Sequence, residues 1–488
     1  MEMPHVFVLI GDCLRAANST TQTLPFLSNL STVEFTRCYT PGTWTRPSHA
    51  SLYSQQTPVE HGITRRGDTL SSSHAVLPEH ATRAGYLTAL FSENPTFSRK
   101  TGFQHGIEFV DDAIHRKPFA STFSPDAYVD DFSVASAVAL LREVARRPNR
   151  IANAANLVYG AASATSRPDP SLYPHHGERV FSHLRSFGQQ NATRPLFCLV
   201  NLLDTHNPHH APPDVGAENL GLTVSPAERR ALAVANDDRL YLLDGADVPA
   251  ETREFFESWS EVFERREQIY DAQIRYLDYL IEQWMTGLRR NVFEESLIVV
   301  TGDHGQLFGE EGCLGHQTSL HPHGVHVPLY VSPPGSWEVP LQIDVPVTWV
   351  GLSKALSGVV NGTVTTSGEF VDVTVEGSRT DGRIVVCADG PTWDVTALRE
   401  SYDDTAVDSV CVRKIGFVET DHMTIYESRW GESTIRRRTY VLDGDTRELS
   451  DEVTDVQPPE KYATWLRNGG ERELTAETSA RLRQLGYR

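Results

Sequence analysis

The feature that most constrains the fold is a set of short, fully apolar runs that each end on polar residues. His5-Val-Phe-Val-Leu-Ile10 runs into Gly11-Asp12, and Leu297-Ile-Val-Val-Thr301 runs into Gly302-Asp303-His304-Gly305. Tyr86 to Phe91 and Leu196 to Leu202 have the same character. Strands apolar on both faces belong to sheets covered by helices on both sides. Helix-like sequence lies before each of the later runs, so the pattern predicts an α/β fold with a central, largely parallel mixed sheet flanked by helices. The clearest helix covers about residues 261–288, where Tyr270, Ile274, Leu277, Ile281, Trp284 and Leu288 recur at alternating spacings of four and three and form one apolar stripe.

Two long polar stretches, about 111–177 and 212–250, read as insertions between these elements. After Pro340 the character changes. A helix around Thr348 to Leu356 is expected, followed by short β-rich runs at Phe370 to Val375, Arg383 to Cys387 and Ser409 to Val418, and a charged helix near Ala476 to Leu485. The organisation predicted is a main domain over residues 1–358 and a smaller antiparallel α+β domain over 359–488.

Composition limits the partners. With 64 acidic against 44 basic residues and a net charge of -20, the chain lacks the basic footprint of a nucleic-acid binder. Only five of the 44 cations are lysines. Acid excess keeps a protein soluble where salt screens repulsion, and it costs stability when salt is withdrawn, so this surface suits a halophile. Six cysteines without a C-x-x-C pair make neither a disulfide scaffold nor a zinc ribbon. The only apolar run near the start, Val6 to Ile10, is too short for a signal peptide or a transmembrane segment, and a cytoplasmic location is expected.

Ligands of open α/β sheets bind beyond the carboxyl ends of the strands. Here those ends carry Asp12, Asp204-Thr-His206 and Asp303-His304. Oxygen and nitrogen donors on neighbouring strand ends suit Mg, Mn, Ca or Zn, although an aspartate after a strand also serves as a helix cap. Thr45-Arg46-Pro47-Ser48-His49 opens a helix, with Pro47 fitted to its first turn. A hydroxyl there sits where backbone N–H groups favour an anion, and bound to a metal it becomes a nucleophile toward phosphorus or sulfur. The plainer role for Thr45 or Ser48 is an N-cap.

Taken in order, these segments resemble the sulfatase family of the alkaline-phosphatase superfamily. Val8-Leu-Ile-Gly-Asp12 resembles its N-terminal metal strand, Thr45-Arg-Pro-Ser-His-Ala-Ser-Leu52 its nucleophile motif, and Asp204-Thr-His206-Asn-Pro its D-x-H-x-P segment. Thr301-Gly-Asp-His-Gly305, Gly315-His316 and Val327-Pro-Leu329 follow in family order. The resemblance implies a metal held by Asp12, Asp303, His304 and Thr45, with Thr45 also the nucleophile. It implies that His206 and His316 hold the ester oxygens or protonate the leaving group.

Several departures bear on substrate. Family sulfatases convert a cysteine or serine to formylglycine, which threonine cannot become because its β-carbon carries a methyl group. An alkoxide attack on phosphorus is therefore expected. Cys13 stands where many relatives have a second metal-binding aspartate, and His304 where they often have asparagine, which shifts preference from Ca²⁺ or Mg²⁺ toward Mn²⁺ or Zn²⁺. The family's G-K-W-H block is absent, leaving Arg46, His49 and Asn94 as candidate substrate-binding residues. One metal is expected. The function implied is hydrolysis of a phosphate mono- or diester, or of a sulfate ester, on an anionic small molecule, glycan or lipid. Transfer of a phosphoryl or phosphoglycerol group to an alcohol, or a non-catalytic binding role of the same fold, are the alternatives.

Overall fold

The computed structural model describes residues 3–30, 32–71, 74–92, 94–97, 101–111, 176–191, 193–206, 209, 261, 265–291, 295–310, 314–338, 341–391, 395–399, 404–442, 447–453 and 457–469. Residues 112–175 of the first predicted insertion, the whole of the second, the helix expected near 476–485 and Cys313 lie outside these residues.

The centre is a mixed sheet of nine strands: β1 (His5–Gly11), β2 (Val33–Tyr39), β3 (Leu87–Ser92), β4 (Phe109–Asp111), β5 (Leu196–Leu202), β6 (Ser296–Gly302), β9 (His326–Ser332), β10 (Leu341–Ile343) and β11 (Val347–Thr348). A two-stranded ribbon, β7 (Leu307–Phe308) with β8 (Leu314–Gly315), lies between β6 and β9 in the chain. The sheet order is β10-β2-β9-β6-β1-β5-β3-β4, with β11 also on β2. Only β9 runs against its neighbours; the other pairings are parallel. The predicted largely parallel sheet is therefore present.

Alternation along β1 divides the core. Val6, Val8 and Ile10 face the layer that includes α1 (Thr45–Ser54) and α4 (Trp349–Val360). Phe7 and Leu9 face α2 (His176–Asn191) and α3 (Arg266–Asn291). On α3 the predicted stripe is buried at Tyr270, Ile274, Leu277, Ile281 and Trp284, and Trp284 meets Phe7 edge to face at 5.2 Å. The side chain of Leu288 lies outside the description.

The run Phe370 to Val375, expected as a strand, is helical. It belongs to α5 (Ser367–Gly377), whose N-cap Thr366 accepts a hydrogen bond from the Glu369 amide at 3.2 Å. Its β-branched residues, Val371, Val373, Val375 and Thr374, read as a strand. Packing overrides that propensity: Phe370 and Thr374, four apart, are buried, and Gly351 of α4 lies where an added Cβ would be 2.1 Å from the Thr374 carbonyl. Likewise, the strand expected from Ser409 starts only at Val412, because residues 404–410 form a helix.

A second, antiparallel sheet follows in the order β12 (Ile384–Asp389), β13 (Val412–Val418), β14 (His422–Arg429), β15 (Arg436–Val441) and β16 (Arg447–Val453). One face packs Val386, Ile425 and Tyr440 on Tyr39, Leu320 and Val325, and the other packs Val385, Ile415 and Phe417 on α6 (Glu460–Arg467). No described helix is long and apolar enough to cross a membrane.

Candidate active site

Register brings the site together. Gly11 at the end of β1 pairs with Leu202 of β5 and Gly302 of β6, and Ser92 of β3 pairs with Asn201. The next residues along β1, β5 and β6, Asp12, Leu203 and Asp303, therefore emerge at one edge of the sheet, and Asn94 lies two residues beyond the end of β3.

Asp12 and Asp303 are fully buried there, with His304 beside them. The His304 Nε2 lies 3.5 Å from both Asp12 Oδ1 and Asp303 Oδ2. Its Nδ1 lies 2.9 Å from the Gly305 carbonyl, which can only accept, so Nδ1 carries a proton and Nε2 is turned toward the two carboxylates. Neither Nε2 nor Asp303 Oδ2 has a hydrogen-bond partner among the described residues. Two carboxylates buried this close together are unfavourable without a cation between them. Donors about 2.0–2.2 Å from a metal lie roughly 3.5 Å from one another, so the residues present fit a divalent cation.

Burial alone would raise the Asp303 carboxyl, but the His304 and His49 rings and the Cys13 amide hold it below the usual carboxylate range. That amide donates to Asp303 Oδ1 at 3.1 Å. Close backbone approach also fixes the loop: a Cβ at Gly302 would lie 2.1 Å from the Leu14 carbonyl, and one at Gly305 would lie 1.8 Å from the His323 carbonyl. Gly305→Ala should therefore cost about 1–3 kcal/mol and weaken metal binding by displacing His304, as denaturant melts and metal titration will show.

Thr45 is the first residue of α1. The N-cap is Trp44 and makes no side-chain cap bond, so the Thr45 hydroxyl is not spent as a cap. Ser48 donates to the Gly42 carbonyl at 3.1 Å instead. The Thr45 Oγ1 accepts from Asn94 Nδ2 at 3.4 Å, and the same amide donates to Asp12 Oδ2 at 2.8 Å. Asn94 thus links the hydroxyl to the carboxylate donors.

On the other side of Asp12 stand His206 and His316, with ring centroids 5.6 Å apart. His206 is partly exposed, its Nε2 4.0 Å from Asp12 Oδ1. His316 is buried, and its Nδ1 lies 3.2 Å from Gln306 Oε1. Burial, followed by the neighbouring His304 and His206 rings, holds its pKa well below the ordinary imidazole value.

Two candidate substrate contacts have other neighbours. His49 is buried between Phe97 and Trp349, and its Nε2 faces Asp303 Oδ2 at 3.6 Å. Arg46 donates to the carbonyls of Arg66 and, at 3.1 Å, Asp68. The carboxylate of Asp204 accepts from the Gly177 amide at 3.2 Å near the start of α2, and burial raises its pKa to about 6. Sequence reasoning missed Asn201 and Thr205. Asn201 Nδ2 donates to Asp12 Oδ2 at 3.3 Å, and Thr205 Oγ1 donates to the Asp12 carbonyl at 2.7 Å. The signal for Asn201 was one amide inside an otherwise apolar strand.

A family model described as Sulfatase matches residues 4–361. No curated protein matches the chain by sequence. Among solved structures, the phosphonate monoester hydrolase SpPMH from Silicibacter pomeroyi is similar at 16% identity and TM-score 0.60, over 95% of this chain and 93% of that one. The phosphonate monoester hydrolase of Agrobacterium radiobacter is similar at 18% and 0.58, over 91% and 90%. BT4656, solved with its substrate D-glucosamine-2-N,6-O-disulfate, is similar at 13% and 0.53, over 91% and 92%.

Proposed function

The chain belongs to the sulfatase family, whose members are metal-dependent, and from that premise we propose that it cleaves a phosphorus ester through a covalent intermediate on Thr45. The observation that carries this reading is an unspent threonine hydroxyl joined through Asn94 to Asp12, beside Asp303 Oδ2 and His304 Nε2, which have no hydrogen-bond partner among the described residues.

Asp12, Asp303 and His304 would hold the cation, with Thr45 completing the set. Bound there, a divalent cation lowers the pKa of the Thr45 hydroxyl and neutralises charge building on the transferred group. The Thr45 oxygen attacks phosphorus, the bond to the ester oxygen breaks with inversion, and the alcohol leaves with a proton supplied from the His206 and His316 side. Water then hydrolyses the threonine ester. Asn94 orients the hydroxyl, and the buried surroundings exclude competing water. A threonine, unable to become formylglycine, favours phosphorus over sulfur. Two of the similar structures act on phosphonate monoesters by name, which adds that class to the phosphate mono- and diesters. Mn²⁺ or Zn²⁺ suits the mixed nitrogen and oxygen donors. The net charge of -20 belongs to a halophilic surface, so assays belong in concentrated salt.

The test is turnover of a phosphonate monoester, a phosphate monoester, a phosphate diester and an aryl sulfate by the wild type and Thr45→Ala, in high salt with Mn²⁺. Phosphorus esters should turn over with wild type alone. Equal inactivity on all four refutes the reading, and turnover of the sulfate alone refutes the phosphorus preference. Asp303→Asn should bind Mn²⁺ at least about tenfold more weakly; unchanged affinity in a metal titration would remove Asp303 from the site.

A further inference from the structure

Next to the carboxylate donors lies a second group with softer chemistry. The Cys13 thiol, His206 and His316 each offer one ligand atom, and the three lie within 4.8 Å of one another. Cys13 Sγ is 3.7 Å from His316 Nδ1, where a bound cation would displace the contact with Gln306 Oε1 at 3.2 Å. A tetrahedral zinc with Zn–S about 2.3 Å and Zn–N about 2.0–2.1 Å places its ligands roughly 3.5 Å apart. The sulfur and nitrogen already stand close to that separation.

We propose that Cys13, His206 and His316 form a second metal site, selective for Zn²⁺ or a similarly thiophilic divalent cation. A thiolate with two imidazoles discriminates against Mg²⁺, Ca²⁺ and Mn²⁺, which prefer oxygen. Three protein ligands leave a fourth position, the arrangement of a catalytic rather than a structural zinc. His206 is partly exposed, so this group of donors has a side open to solvent.

The backbone at Cys13 supports the assignment. Its φ is +66°, in the left-handed region that residues with a side chain seldom enter, at a cost of about 1–3 kcal/mol. The conformation is held from two sides. The Cys13 amide donates to Asp303, and the Tyr270 hydroxyl donates to the Cys13 carbonyl at 2.6 Å while accepting from the Arg15 amide at 2.9 Å. The thiol is thereby placed 3.7 Å from both Asp12 Oδ1 and His316 Nδ1.

Asp12 Oδ1 lies at the seam of the two donor sets, 3.5 Å from His304 Nε2 and 4.0 Å from His206 Nε2. With both donor sets loaded, Asp12 would contribute to each, and paired cations would supply charge neutralisation for displacement at phosphorus. The donor set stands on its own geometry; only its catalytic consequence rests on the ester-transfer reading. With this site loaded both imidazoles are ligands and the leaving-group proton comes from solvent; with it empty, that side remains the proton source.

The full chain, stripped with chelator, reloaded with Zn²⁺ and freed of loose metal, should hold two equivalents by plasma mass spectrometry. Cys13→Ser and His316→Gln should each hold one. Asp303→Asn, which keeps the oxygen that accepts from the Cys13 amide, should also hold one. Reloading with Co²⁺ should give a thiolate-to-cobalt charge-transfer band in the wild type and Asp303→Asn that Cys13→Ser lacks. A wild type holding one equivalent that Asp303→Asn removes, with no thiolate band, overturns the second site and leaves the ester-transfer reading standing. Two equivalents unchanged in both Cys13→Ser and His316→Gln overturn it too. A wild type that holds no metal under any loading overturns both.

Discussion

Thr45→Ala should fold and melt like the wild type yet turn over its ester substrate at least about 10⁴-fold more slowly. The two halves of this expectation have separate causes. Thr45 occupies the first position of α1 and caps nothing, and its hydroxyl accepts only a long hydrogen bond from Asn94 among the bonds described for it. Alanine has the better helix propensity, so truncation should change stability by less than about 1 kcal/mol. The loss in turnover comes from removing the attacking oxygen, which positioning by neighbouring groups cannot replace. Thr45→Ser keeps an oxygen on the β-carbon and should retain measurable turnover. A Thr45→Ala protein that is well folded and still active assigns the attack to another group.

The largest loss of stability should come from Asp389→Ala, about 3–5 kcal/mol by denaturant melt. Asp389 ends β12 and is buried between two arginines. Arg65 reaches it at 2.9 and 3.2 Å, Arg413 at 2.8 and 3.1 Å, and the Thr64 hydroxyl donates at 2.7 Å. Deleting the carboxylate removes the counter-charge that two buried guanidinium groups share. The damage should also reach the site, because the loop that carries Arg65 continues to Arg66 and Asp68, whose carbonyls accept from Arg46 of α1. Burial alone would raise the Asp389 carboxyl, but Arg413 and then Arg65 hold it below its ordinary value. A depressed carboxyl stabilises the fold fully above its unfolded pKa of about 3.9 and loses that contribution as pH falls through the lower folded value. Acid unfolding should therefore begin below about pH 4, and the component should disappear in Asp389→Asn. A melt of Asp389→Ala within about 1 kcal/mol of wild type contradicts the assignment.

The apolar runs were legible because strands buried on both faces leave little freedom in residue choice. Their ends then placed Asp12, Asp303 and His304 on one edge, since parallel strands in register end level. The α5 segment misled because Val371, Val373 and Val375 alternate as in a strand, whereas the Thr366 cap and the close approach at Gly351 are tertiary facts. For the same reason no pattern in the chain announces that His49 faces Asp303, or that Cys13 takes a left-handed backbone. These features depend on which loop lies beside which, a long-range matter to which spacing along the chain is blind.

Attack by Thr45 leaves a covalent threonine ester. Wild type quenched in acid during turnover of an aryl phosphate or phosphonate monoester, then digested and mapped by mass spectrometry, should carry one transferred phosphoryl or phosphonyl group on Thr45. Unmodified Thr45 during active turnover, or a group transferred instead to Ser48, His206 or Cys13, would contradict the account.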